Sequence, residues 1–302
     1  MKAIIDLGTN TFHLLIAEIK QGTIREFYKL QVPVKIGRGG INNGQITADA
    51  YQRGLVTVAE FQKYIERFLV TDVTAFATSA IRSASNGADF VREVQERCGI
   101  TITTIDGDTE AKYIYTGVLN SFKFPAYPVL VMDIGGGSVE FIIGTGADIH
   151  WKQSFEIGAA RLLEQFHHSN PIGIEEKEEL KAYLADVLQP LHHAVKQYNP
   201  TMLIGSAGSF ETLVDVVIRD LTVIPNSLSK QAFEIRREDF DVFLELMKTS
   251  TTEQRKLLRG MTDFRGEMIT VAALLMDFVI STYSIKRIVC SNYSLKEGVL
   301  FS

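Results

Sequence analysis

The chain has 302 residues, with 31 Lys and Arg against 36 Asp and Glu and a net charge of −5. At 46% hydrophobic and 22% charged it is globular, with length for two cores and no apolar run near the ~18–20 residues of a membrane-spanning helix. That balance excludes a nucleic-acid partner held by a broad basic face and gives no reason to expect a membrane partner, although a local cleft on an acidic protein can still be positive.

Met1-Lys2-Ala3 leads straight into a strand, so no signal peptide is expected. Residues 3–16, AIIDLGTNTFHLLI, read as two apolar strands around a turn that begins at Asp6. Gly8, Thr9, Asn10 and Thr11 fill that turn, and Arg25 to Val32 completes a meander. The Gly- and Asn-rich stretch Lys35 to Gly44 is a loop; its Lys35 and Arg38 are either solvated or in contact with a polyanion entering a cleft. Thr47 is placed to cap a helix from Ala48 to about Leu69, whose buried face is Leu55, Val58, Ala59, Phe61, Ile65 and Phe68. A strand over Asp72 to Ala77 feeds ATSAIRSASNG, residues 77–87. Arg82 sits there among small hydroxyl residues, where a guanidinium can fork onto two phosphate oxygens or form a surface salt bridge. After a helix over Gly87 to Arg97 and a strand over Ile100 to Ile105, Asp106 or Asp108 caps a helix beginning near Thr109. Glu110 falls in its first turn, either as a partner of the helix dipole or as a general base facing a cleft.

Lys123 to Pro128 carries two prolines and no periodicity, which marks a boundary between domains over 1–125 and 126–302. The second domain opens with VLVMDIGGGSVEFIIG, residues 129–144. An apolar strand ends in Asp133; Gly135, Gly136, Gly137 and Ser138 turn the chain; a second strand carries Glu140. Three glycines in a row are expected to serve either φ > 0 or the close approach of a ligand. Residues 130–143 align without a gap on residues 3–16, Asp133 on Asp6, Gly135 on Gly8 and Ser138 on Thr11. The repeat predicts a duplicated α/β fold with a cleft between its halves, each glycine turn gripping one side of a phosphate chain. Further on, the pattern gives a strand near Ile149 to Ser154, a helix from Arg161 to Phe166, and one long helix from Glu175 to Tyr198. A strand over Thr201 to Ile204 runs into GSAGSFETL, residues 205–213, a second cradle candidate around Gly208 without the Lys-Ser/Thr pair of a P-loop. Residues 238–258 read as a charged, solvated helix, Gly266 to Tyr283 as an apolar helix for the core or a homodimer interface. Arg287 to Cys290 is the last strand and Ser294 to Phe301 the last helix, expected to pack back on the first domain. The six histidines show no metal-ligand spacing and read as structural or surface residues, and Trp151 reads as packing. Cys98 and Cys290 lie far apart with no CxxC spacing, which suits a reducing cytoplasm and no zinc site.

In this order, DLGTNTFHLLI, ATSAIRSASNG, DGDTEAKYIYTGV, DIGGGSVEFIIG, FEIGAARL, GSAGSFETL and SNYSLKEG resemble the exopolyphosphatase / guanosine pentaphosphate phosphohydrolase family across essentially the whole chain. The resemblance implies two ribonuclease-H-like domains of the actin–Hsp70–sugar-kinase superfamily, with mixed sheets flanked by helices and an active site in the interdomain cleft. It also implies Mg²⁺-dependent hydrolysis of a terminal phosphoanhydride, with Mn²⁺ as the alternative ion. By position, Glu110 matches the base on the attacking water, and Asp133 and Glu140 the acids that position metal and water. Asp6, Gly8, Thr9 and Asn10 match the first phosphate loop, Gly135 to Ser138 the second, and Arg82 the phosphate-binding arginine. The chain departs from the family in Arg265-Gly266-Glu267 where Arg-Ala-Asp is usual, and in GSAGSFET where a tighter GGT turn is usual. The extra helical domains of long members have no counterpart here, which leaves inorganic polyphosphate, short polyphosphate and guanosine pentaphosphate all open as substrates. A sugar- or acetate-kinase-like phosphotransferase and a non-catalytic sensor of (p)ppGpp or polyphosphate are the competing readings.

Overall fold

β1 (Lys2–Leu7), β2 (Phe12–Lys20) and β3 (Thr23–Val32) form the meander that opens the chain. The computed structural model describes residues 1–302. α1 (Ala48–Arg67), β4 (Asp72–Ala77), α2 (Ser79–Ser83), α3 (Gly87–Cys98), β5 (Ile102–Thr104) and α4 (Gly107–Leu119) follow. β1 pairs antiparallel with β2 and parallel with β4, which gives a five-stranded mixed sheet in the order β3-β2-β1-β4-β5. The second half repeats the plan with β6 (Val129–Ile134), β7 (Val139–Thr145) and β8 (Asp148–Phe155), then α5 (Ala159–Phe166), α6 (Ile174–Val187) and α7 (Gln189–Tyr198). Next come β9 (Met202–Ser206), α8 (Ala207–Arg219), β10 (Asn226–Ser229), β11 (Ala232–Ile235) and α9 (Arg237–Thr249). α10 (Thr252–Lys256), α11 (Ile269–Thr282), β12 (Arg287–Ser291) and α12 (Leu295–Phe301) close the chain. The second sheet runs β10-β11-β12-β9-β6-β7-β8, so its last five strands reproduce the first sheet and the β10–β11 hairpin extends one edge.

The continuous apolar runs of β1 and β6 have a cause in the layering. Successive side chains of a strand point to opposite faces, and here both faces are covered. Ala3, Ile5 and Leu7 of β1 join the core under α1 and α3. Leu130, Met132 and Ile134 of β6 join the core under α5 to α9 and α11. The alternate residues, Ile4 of β1 with Val129 and Val131 of β6, meet in a third core between the sheets, filled by Ala111, Ile114 and Val118 of α4 and Leu295 and Val299 of α12. α4 and α12 cross closely enough that a Cβ on Gly117 would lie 2.1 Å from the Ser294 carbonyl oxygen, and one on Gly298 would lie 1.7 Å from that of Tyr113. The last helix therefore packs against α4 and, through Val299, toward β1.

Several expectations change. The long helix over Glu175 to Tyr198 is two helices, α6 and α7. Pro190 sits in the first turn of α7, where its missing N–H costs nothing, and it could not have continued α6. The charged stretch 238–258 is two helices, and it is more than a solvated face. Phe240, Phe243 and Met247 of α9 are fully buried, as is Arg255 of α10. The β10–β11 hairpin has no mark in the sequence pattern; its strands are four residues each and its turn lacks a Gly or Asn pair. α11 belongs to the core, with Val271, Ala272, Leu275 and Met276 at 0% exposure. Thr47 stands at the N-cap of α1 without making a side-chain cap bond, whereas Asp106 caps α4 by accepting from Thr109 N at 2.7 Å.

Candidate active site

Strand register brings the two repeats' polar residues to one place. Asp6 of β1 lies opposite His13 of β2, and Asp133 of β6 lies opposite Glu140 of β7. Asp6 shares a face with Ile4, and Asp133 shares one with Val129 and Val131, so both pairs face the layer between the sheets. There Asp6, His13 and Asp133 line one cavity with Gly8, Thr9, Asn10, Gly135, Gly136, Gly137, Ser138, Glu110 and Gly208, while Glu140, 1% exposed, is paired with Asp133 in register but is not on the cavity wall. The two turns have the same shape: a Cβ on Gly8 would fall 2.9 Å from the Thr11 carbonyl, and one on Gly135 would fall 3.0 Å from that of Ser138. None of Gly135, Gly136 and Gly137 has a positive φ. Their glycine requirement is steric, set by the opposing loop. A Cβ on Gly137 would lie 2.5 Å from both Thr9 Oγ1 and Ser79 Oγ, and one on Gly136 would lie 3.0 Å from Thr9 Cβ. Thr9 is held there by the Ala80 N–H, which donates to its hydroxyl at 3.2 Å.

α4 supplies Glu110, 7% exposed, to the same wall. Arg82, just past β4, donates to Glu110 Oε2 at 2.9 Å, to the Ile105 carbonyl at 3.0 Å and to Glu156 Oε1 at 3.2 Å. Of the two readings of Arg82, the structure shows the salt bridge, to two carboxylates and largely buried rather than on the surface. Glu156 also accepts from Ser79 Oγ and from Arg161, both at 2.7 Å. Arg161 in turn donates to the carbonyls of Gly137 and Ile41, so Glu156 and Arg161 tie the halves together beside the second loop.

The buried acids repel one another. Burial, then Glu140, raises Glu110 well above the ordinary glutamate value, with Arg82 opposing. Burial and Asp133 push Glu140 up to about 7 despite hydrogen bonds from Ser154 and Ser138. Asp6 and Asp133 are each pushed up to about 6 by burial, Asp133 while accepting from Ser206 Oγ at 2.5 Å. No group of three acidic, imidazole or thiol side chains is spaced to hold a metal ion by itself. Mg²⁺ is commonly held by one or two carboxylates with waters and substrate phosphates completing its shell, and the buried carboxylates Asp133 and Glu140, paired in register, fit that donor set.

The rest of the cavity comes from residues not assigned a role from the sequence. Arg265 lies over the turn at Gly208, where any Cβ would fall 1.6 Å from the guanidinium, and Ala207 beside it takes φ 64°. Two residues on, Glu267 pairs with Lys35 across the cleft at 3.1 Å. Lys296 of α12 and Glu211 of α8 complete the wall. His13 also lines it, with Nδ1 buried and unpaired and its pKa lowered well below 6.5 by burial and by Lys296 and Arg265. His13, read from the sequence as structural or on the surface like the other histidines, is thus on the cavity wall. Its alignment with Glu140 in the repeat was the available signal. Glu156 and Lys296 lie inside the motifs FEIGAARL and SNYSLKEG, and Arg265 opens the Arg265-Gly266-Glu267 departure, but none was given a role, because their positions at the site depend on contacts far along the chain.

The Ppx/GppA phosphatase family model matches residues 15–302. An exopolyphosphatase of known structure from Cytophaga hutchinsonii is 37% identical over 99% of this chain and 96% of its own, with a TM-score of 0.94. The Aquifex aeolicus member of the Ppx/GppA family is 25% identical over 99% and 95%, with a TM-score of 0.80. A Haemophilus influenzae protein named provisionally as an exopolyphosphatase is 27% identical over 99% of this chain and 90% of its own.

Proposed function

The chain belongs to the Ppx/GppA phosphatase family, and on that premise we propose that it removes the terminal phosphate of inorganic polyphosphate, using water activated by Glu110. The observation that carries the reading is Glu110 itself, a buried carboxylate facing both glycine loops and oriented by Arg82. Water is a weak nucleophile, and a positioned base with a raised pKa accepts its proton as the bond to phosphorus forms. The water oxygen bonds to the terminal phosphorus, the bridging P–O bond breaks, and its electron pair leaves on the shortened chain. Backbone N–H groups of the loops at Gly8–Asn10 and Gly136–Ser138, which line the cavity, would hold the phosphoryl oxygens. Asp133 and Glu140 would hold Mg²⁺ or Mn²⁺, which when bound supplies positive charge to the transferring phosphoryl group. Against a kinase-like reading stands the base: Glu110 faces the loops where an acceptor hydroxyl would otherwise be bound.

The test is phosphate release from long polyphosphate, short polyphosphate and guanosine pentaphosphate with Mg²⁺, for the unsubstituted protein and Glu110→Gln. Turnover of polyphosphate with a loss of ~10²–10⁴-fold in the variant is the expected result. Turnover of guanosine pentaphosphate alone reassigns the substrate. Binding without release from any of them replaces the hydrolase with a sensor.

A further inference from the structure

Lys296 is the second residue of α12, a position where the helix dipole favours acids and disfavours a cation. Its side chain is 7% exposed, lines the catalytic cavity, and makes neither a hydrogen bond nor an ion pair. A buried ammonium without a partner is costly unless something else binds it. It is not a stray charge on a loose element. The Ser294 N–H donates to Glu297 Oε2 at 2.9 Å, and the Gly117–Gly298 crossing fixes α12 against α4, the helix that carries Glu110.

We propose that Lys296 binds the phosphate next to the terminal one and stabilises the oxyanion that leaves when the bridging P–O bond breaks. No proton is transferred: the ammonium donates hydrogen bonds to an oxygen whose negative charge grows as the bond opens. The placement supports this division of labour. The charges bearing on Glu110 are Glu140, Arg82 and Asp6, whereas those bearing on Lys296 are Glu297, Asp6, Glu211 and Asp133. Asp6 is common to both sets, and all three side chains line the same cavity. Burial alone would drive the ammonium toward its neutral form, but those four carboxylates outweigh it and hold the pKa above the ordinary lysine value, so the group stays charged. Arg265, on the same side of the cavity beside Glu211, extends positive charge toward Gly208.

The inference rests on the cavity being a phosphate site, and the experiment separates the two. Tripolyphosphate affinity is measured by calorimetry in a Glu110→Gln background, alone and with Lys296→Met or Lys296→Arg added. Lys296→Met is expected to weaken binding ~10–100-fold, as for loss of a charged hydrogen bond, and in the Glu110 protein to lower kcat ~100-fold, with melting no lower than before. Lys296→Arg is expected to recover most of the affinity. An affinity for Lys296→Met within about twofold of its parent overturns the proposal, and a lowered melting temperature with unchanged affinity makes Lys296 a counter-charge to Asp6 and Asp133 and overturns it too. Should Lys296→Met fail to fold, the Nζ resonance of Lys296 in ¹⁵N-lysine-labelled protein, assigned with Lys296→Arg, carries the test; it must shift on saturation with tripolyphosphate, and an unmoved signal refutes the contact. If the parent protein binds no tripolyphosphate at all, the phosphate site itself is refuted and this inference falls with it.

Discussion

The two glycine hairpins share one backbone plan and differ in what they carry. In the first, Asp6 faces His13 across the strands and a single glycine opens the turn. In the second, Asp133 faces Glu140 and three glycines fill the turn. The contrast teaches that the repeat supplies a frame and the chemistry sits on one side of it. The first loop, with Thr9 and Asn10, brings bulk up to its partner, while the second loop is stripped of side chains to receive it. The second loop is also hemmed in from its other side, where a Cβ on Gly158 would lie 2.4 Å from the Gly136 carbonyl carbon.

The largest expected effect comes from exchanging side chains at one aligned position of the two loops. Gly137→Ala drives a methyl into Thr9 and Ser79, and overpacking of this kind costs ~1–3 kcal/mol. Because the displaced loops line the cavity, activity is expected to fall ~100-fold or more, the cost of a misplacement of about 1 Å. Asn10→Ala, at the aligned position, is expected to change the melting temperature little, since the Asn10 amide gives up one weak local bond of 3.3 Å. Equal losses from both would mean that the loops are equivalent after all. The second exchange tests the strands. Glu140→Gln is expected to lose ~100-fold in phosphate release if the carboxylate holds the metal, in line with ligand and outer-shell losses. His13→Gln is expected to lose less than about tenfold, because a neutral imidazole with an unpaired nitrogen supplies no charge to the reaction.

Charge on the second hairpin also sets a pH dependence. Unfolded Asp and Glu titrate near 3.8 and 4.5, whereas Asp6 and Asp133 titrate near 6 and Glu140 near 7 in the folded chain. The folded state thus holds these protons more tightly. Its stabilising share is complete below the unfolded values and is lost as pH rises through 6 to 7. Asp133→Asn and Glu140→Gln are therefore expected to melt higher than the parent at pH 8, with the advantage shrinking as pH falls below 6 to 7 and gone only below the unfolded values of 3.8 and 4.5, as read from thermal unfolding without added metal. An advantage that stays constant from pH 8 to below those values would show that the gain comes from packing and not from the buried charge.

What the sequence made legible follows from distance along the chain. The hairpins, Asp6, Asp133 and Glu140 stood out because fourteen aligned residues repeat without a gap; Glu110 fell in the first turn of a helix capped by Asp106 or Asp108, its role as base coming from the family resemblance, and the structure gives the cap to Asp106. The layering was hidden in a subtler signal: β1 and β6 are apolar at nearly every position because each is covered twice, a pattern that one strand alone leaves ambiguous. Lys296 and Arg265 were not legible as site residues. They reach the cavity through the α4–α12 crossing and the segment after α10, contacts between residues more than a hundred positions apart or across a loop without periodic pattern. Pro190 was a legible signal, and it marks the break between α6 and α7.

The smallest effect lies at the rim, where the halves meet through Lys35 and Glu267. The pair spans 3.1 Å, but its side chains are 21% and 36% exposed, so solvent screens it and its worth is ~0–1 kcal/mol. Lys35→Ala is expected to shift unfolding by less than that, with the difference vanishing at 1 M salt, where charges more than ~3 Å apart are screened. The tie beside the second loop is of another kind. Glu156 receives Ser79, Arg82 and Arg161 together, and losing it removes the one carboxylate that both guanidinium groups share, leaving Arg82 on Glu110 and the Ile105 carbonyl and Arg161 on the Gly137 and Ile41 carbonyls. Glu156→Gln is therefore expected to cost more than Lys35→Ala at low salt; its side chain is 48% exposed, so part of that cost is expected to be lost at 1 M salt as well. A Lys35→Ala loss that matched it, at both salt concentrations, would move the main tie between the halves from the second loop to the rim.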